Sequence, residues 1–192
     1  PNSYLTCKEV KKSESPLNKI NQIEQAIRRL SPADFGKLCV AFLHARIETV
    51  VDYGNAKGTG KTRAGMPDAY IRADDGSYTF IQFTTAAKAK LPKKLEKDID
   101  DCFAPSDDLP DPAERKIEKI ILCFTEAINP KTQESLYAHL ASLSGADIEL
   151  ELLGIDLLAH DILRDNRYAP LAKHMLGIEL DSGQLLTRDK FV

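Results

Sequence analysis

Asp68, Gln82, Thr84 and the lysines that follow them are the residues of this sequence whose types and spacing could do chemistry. Asp68 comes directly after Pro67 and opens a short β-branched and aromatic stretch, Ala69-Tyr70-Ile71. Gln82 and Thr84 stand one residue apart at the end of a second such stretch, Tyr78 to Thr84. Between the two, Ala73-Asp74-Asp75-Gly76-Ser77 carries the Asp-Gly turn signal, so the segment reads as a hairpin. Residues i and i+2 of a strand share a face. Gln82 and Thr84 therefore point together, and strand pairing can bring Asp68 to them. A carboxylate, an amide oxygen and nearby lysines suit a hard metal ion and a phosphate. On an edge strand, Gln82 and Thr84 would instead form an ordinary solvated polar face, and Asp68 an ordinary strand-start aspartate.

The frame for such a site is a chain of 192 residues, enough for one domain with a sizeable core. Its 43% apolar and 29% charged content is that of a soluble globular protein. No apolar run approaches the roughly 18 residues of a membrane span. The opening PNSYLTCKEVKKSES lacks the apolar stretch of a secretory signal, so a cytoplasmic location is expected. Cys7, Cys39, Cys102 and Cys123 are far apart and form no CxxC pair. They read as free thiols in a reducing compartment rather than as disulfides or zinc ligands. His44, His139, His160 and His174 lack the spacing of a histidine metal site.

A net charge of −3 argues against nucleic-acid binding by the whole chain, but the charge is unevenly spread. From Gly54 to Lys97 the basic residues are Lys57, Lys61, Arg63, Arg72, Lys88, Lys90, Lys93, Lys94 and Lys97. They face only Asp68, Asp74, Asp75 and Glu96. From Asp98 to Glu114 every charge is acidic. A local basic patch matters more to a phosphate backbone than the total does. The bland counterpart is the solvated lysine face of an amphipathic helix.

The remaining elements follow from periodicity. Residues 1–15 are polar and read as an arm. Leu17, Ile20, Ile23, Ile27 and Leu30 have helical spacing, and Ser31-Pro32 restarts the chain as an N-cap and first helical residue. A second helix runs to about Ala45, and Ile47 to Tyr53 reads as a strand. After the hairpin, Leu91 to Phe103 is a helix with Leu91, Leu95, Ile99 and Cys102 in register. Ile117 to Phe124 is the central-strand candidate, Pro130 to Leu143 a helix and Asp147 to Leu153 a strand. Helices over Gly154 to Arg164 and Tyr168 to Leu176 complete a domain spanning 16–176. The tail 177–192 reads as a linker toward a further module. The expected class is α/β, a mixed sheet flanked by helices.

One motif is a decoy. Gly54 to Thr62 (GNAKGTGKT) looks like a phosphate-binding P-loop, but the first glycine that pattern requires falls on Asn55. Gly65 and Pro67 also prevent the helix that must follow, and without its N-terminus nothing holds the phosphates. A basic loop touching a nucleic-acid backbone through Lys57, Lys61 and Arg63 fits these residues better.

Pro67-Asp68 followed by Gln82-Phe83-Thr84, in an order helix, three strands, helix, strand, resembles the PD-(D/E)xK nuclease superfamily with its restriction-endonuclease-like core. The resemblance implies Asp68 as the main ligand of Mg²⁺ or Mn²⁺, with Gln82 in the second acidic position as in Mrr-like members, and the carbonyl of Phe83 beside them. The chain departs from the pattern twice. Gln82 is neutral, and Thr84 stands where the family has lysine. The resemblance implies that a following lysine substitutes, Lys88 first and Lys90 or Lys94 next. The first helix often supplies an acid in that family. Asp34 is the candidate here, though as the third helical residue after Ser31 it reads more simply as a cap.

A narrower likeness covers most of the chain. GTGKTRAGMPDAYIRADDGSYTFIQFTTAAKAKLPKKLEKDI and the later HMLGIELDSGQLLTRDKFV resemble the N-terminal nuclease domain of antiviral STAND NTPases, the Avs group. That likeness implies a low-specificity, metal-dependent DNA endonuclease, the effector end of a bacterial defence protein. It would act on double-stranded DNA as a homo-oligomer assembled through the parent protein. Asp68 and Gln82 would hold the metal, Thr84 would position water or phosphate, and Lys88 would offset developing charge. Lys57, Lys61, Arg63, Lys93 and Lys94 would contact the DNA backbone. The alternative is a catalytically degenerate copy of the same fold that binds nucleic acid or oligomerises without cleaving.

Overall fold

A computed structural model describes residues 16–47, 51–52, 67–105, 109–144 and 147–180. The expected basic loop with Lys57, Lys61 and Arg63, the P-loop decoy, the arm 1–15 and the tail beyond 180 lie outside the described residues.

The expected α/β class is found. Helices α1 (Pro16–Arg28) and α2 (Pro32–Arg46) precede strands β1 (Val51–Asp52), β2 (Ala69–Arg72) and β3 (Tyr78–Thr84). Then come α3 (Leu91–Cys102), β4 (Ile117–Phe124), α4 (Pro130–Leu143), β5 (Glu149–Leu153), α5 (Ile155–Arg164) and α6 (Ala169–Leu176). The strands lie in sequence order in one mixed sheet. β1, β2 and β3 pair antiparallel, while β3, β4 and β5 run parallel. The antiparallel pair β2–β3 needs only a tight turn, whereas the parallel pairs need helical crossovers, supplied by α3 and α4.

Local chemistry sets the elements. Ser31 accepts the amide of Asp34 at 3.2 Å and donates its hydroxyl to the Asp34 carboxylate at 2.7 Å, starting α2. Gly76, at φ 81°, takes the left-handed turn of the hairpin, and Asp75 accepts the Ser77 amide at 2.9 Å.

Strand alternation divides the core into two layers. Ile81, Ile121 and Cys123 pack with Ile23, Ile27, Phe35, Leu38, Phe42, Leu158 and Ile162 beneath α1, α2 and α5. Phe80, Ile120, Leu122 and Phe124 pack with Leu91, Leu95, Ile99, Leu136 and Leu140 beneath α3 and α4. Helices thus cover both faces. β3 is the third of five strands rather than an edge, so its polar residues are enclosed. Cys39, Cys102 and Cys123 are buried free thiols, as expected, while Cys7 falls outside the described residues.

Candidate functional site

The hairpin register decides where the chemistry-bearing residues meet. Ala69 pairs with Ile81, so one step outward Asp68 comes opposite Gln82. The contact is direct. The Asp68 amide donates to Gln82 Oε1 at 3.3 Å, and the Phe83 amide donates to Asp68 Oδ2 at 2.8 Å. Gln82 shares the face of Phe80, toward α3. It is only 4% exposed, so its amide must find partners inside the protein.

It finds them on α3. Gln82 Nε2 donates to the carbonyl oxygen of Asp98 at 3.1 Å and lies 3.9 Å from Cys102 Sγ. The Cys102 thiol in turn donates to the same Asp98 carbonyl at 3.3 Å. Gln82 therefore ties β2, through Asp68, to the middle of α3. Burial pushes the Cys102 thiol far up, so it stays protonated and does not act as a thiolate.

Asp98 is the surprise of the site. It is 1% exposed, the most enclosed carboxylate in the described residues. One oxygen pairs with the Lys94 ammonium, one helical turn back, and the other, Oδ2, is buried without a hydrogen-bond partner. Burial raises its carboxyl above the ordinary range, opposed by the hydrogen bond and charge of Lys94. An orphaned buried acceptor costs on the order of 1–3 kcal/mol, so its presence calls for a reason. The sequence signal was there. Asp98 stands seven residues after Leu91 and four before Cys102, on the apolar face of α3. By charge alone it belongs to the acidic run from Asp98 to Glu114.

The other expected residues sort differently. Thr84 is buried, and its hydroxyl accepts the Ala86 amide at 3.2 Å, shaping the turn after β3. Lys88 is exposed in the connection before α3, and Lys90 is exposed at the helix start. Lys93 is exposed on α3. Lys94 alone among these lysines is joined to Gln82, through Asp98. Asp34 lies in the first turn of α2, where its carboxylate accepts from the hydroxyl of the N-cap Ser31 and from Lys37.

A carboxylate and an amide oxygen are the hard donors that Mg²⁺ accepts. Among the described residues no cluster of three or more His, Cys, Asp or Glu side chains suits a metal ion. The hairpin itself offers one carboxylate, Asp68, and the oxygen of Gln82. The donor chemistry fits, and the orphaned oxygen of Asp98 stands on the residue that Gln82 touches.

Compared with family profiles, with curated proteins and with solved structures, the chain matches none. Among the described residues no helix is long and apolar enough to cross a membrane.

Proposed function

We propose that the chain is a metal-dependent endonuclease domain of low sequence specificity, acting on double-stranded DNA as the effector of a bacterial defence protein. The observation that carries the reading is the register of β2 and β3, which sets Asp68 against Gln82 beside a lysine-bearing helix. The order helix, three strands, helix, strand also supports a restriction-endonuclease-like core. Asp68 and Gln82 would hold Mg²⁺ or Mn²⁺. Such an ion, when bound, supplies charge stabilisation and a more acidic water for phosphodiester hydrolysis. Phe83 fixes the Asp68 carboxylate through its amide. Gln82 is locked at both ends of its carboxamide, so its oxygen is oriented before any ligand arrives. Thr84 shapes the strand end, and Lys94 becomes the better choice over Lys88 for the cation missing at Thr84. Lys57, Lys61, Arg63, Lys88 and Lys93 would meet the DNA backbone, in the cytoplasm, within a homo-oligomer of the parent protein.

A specific observation favours the second reading, a degenerate module that binds without cleaving. Both polar ends of Gln82 and one oxygen of Asp68 are already bonded to the chain's own groups. One experiment separates the two. Supercoiled plasmid is incubated with the protein and Mg²⁺, Mn²⁺ or EDTA, beside Asp68→Ala, each also as a forced dimer. Metal-dependent nicking that disappears in the variant is expected. Equal inertness of the dimerised wild type and variant would instead establish the degenerate module.

A further inference from the structure

We propose that duplex DNA docks against the amino end of α3, through Lys88, Lys90 and Lys93, and does not lie along the flank of that helix; the inference rests on the endonuclease reading above. Three observations converge on it. The first is position. Gln82 Nε2 bonds the carbonyl of Asp98, in the middle of α3, at 3.1 Å. Since β3 and β4 are parallel, the α3 crossover returns against the direction of β3. From Asp98 back to Leu91 the helix rises roughly 10 Å. From Gln82 to Thr84 the strand advances only about 7 Å. The first turn of α3 therefore reaches past the end of β3, at the end of the sheet where Asp68 meets Gln82.

The second is charge. Lys88, Lys90 and Lys93 are exposed, and among the described residues no ion pair holds them. Lys94 and Lys97, further along, are paired with Asp98 and Asp101. Asp100 is exposed beside them and bonded to His139 at 2.8 Å. The helix is thus cationic where it overhangs the sheet and neutral to acidic where it lies on it. Its field draws a phosphate backbone to one end only. The third observation is that helix stability does not explain this order. The first turn of α3 has no acidic residue, the last turn has no basic one, and no side-chain hydrogen bond from Lys90 caps the helix. Both ends therefore oppose the helix dipole. In each ion pair the lysine also precedes the aspartate, the less favourable orientation. A lysine face serving helix stability would have the opposite polarity.

The test is fluorescence anisotropy of a labelled DNA duplex with the full chain and EDTA, over a series of salt concentrations. The proteins are wild type, Lys90→Ala, Lys93→Ala and the double replacement Lys97→Ala with Asp101→Asn. Each single variant should lower the slope of log affinity against log salt by about 1. The double replacement removes one charge of each sign from the flank and should keep the wild-type slope. An equal loss of slope in the double replacement would show the duplex lying along α3 and overturn the inference. Unchanged slopes in Lys90→Ala and Lys93→Ala would overturn it too, while metal-dependent nicking by wild type would leave the endonuclease reading standing. No duplex binding by wild type, alone or as a forced dimer, would sink both.

Discussion

Gln82 is the residue on which the site turns, and its two bonds have opposite polarity. Its oxygen accepts from Asp68 and its nitrogen donates to Asp98. Gln82→Glu keeps the shape and removes the donor. The new carboxylate would then face a carbonyl oxygen and lie near the buried Asp98 charge. The variant should lose about 1–3 kcal/mol in urea denaturation with EDTA present. Wild-type stability would mean that the amide tie to α3 contributes nothing. The residues of the hairpin were legible in the sequence because a strand has a strict period of two and an Asp-Gly turn fixes the register. Asp98 was not, since an acidic residue within an acidic run reads as solvated until the helix face is known. Thr84 was legible as a neighbour of Gln82 but not as the acceptor for the Ala86 amide, because that bond depends on how the chain leaves the strand.

The elements followed from apolar spacing more closely than their ends did. The run Ile117 to Phe124 is β4 as expected, since five consecutive apolar residues from Ile120 to Phe124 suit a strand covered on both faces. The expected strand over Ile47 to Tyr53 appears only as Val51–Asp52 among the described residues, and Ile47 instead closes α2, its amide bonded to the Leu43 carbonyl at 2.7 Å. Asp147 and Ile148 precede β5 rather than opening it. The junction between β5 and α5 depends on a contact that no local pattern reveals. Gly154 has an ordinary φ of −71° as the N-cap of α5, so its need is for space. A Cβ there would lie 2.8 Å from Asp156 Oδ1, 3.0 Å from the buried ring of Phe124 and 3.4 Å from the Glu126 carbonyl. The aspartate can rotate away, but the ring and the backbone cannot. Gly154→Ala should cost about 1–3 kcal/mol, read as a lowered urea midpoint, and a neutral result would show that β4 and α5 are not packed this tightly.

At the scale of the whole molecule, charge is arranged to join elements far apart in sequence. Arg46 at the end of α2 bonds to Glu151 at 2.8 Å, and Lys119 of β4 reaches both Glu149 and Glu151 of β5 at 2.8 Å. Glu151 is the shared anion, with 19% of its side chain exposed. Burial works to raise its carboxyl, but the hydrogen bonds and charges of Lys119 and Arg46 outweigh it, and the net direction is below the ordinary value of 4.5. A carboxyl held lower in the folded than in the unfolded chain contributes stability that is fully present above the unfolded value. The contribution fades as pH falls through the folded value, where the native carboxylate also takes up its proton. Glu151→Gln should therefore be less stable than wild type at pH 7, by about 1 kcal/mol for a partly exposed pair. The gap should close as both proteins are taken well below pH 4.5. Urea midpoints at pH 7 and in an acidic series would measure it. A gap that persisted unchanged into acid would mean that Glu151 acts through packing, and that α2 is not held to the β4–β5 side of the sheet by charge.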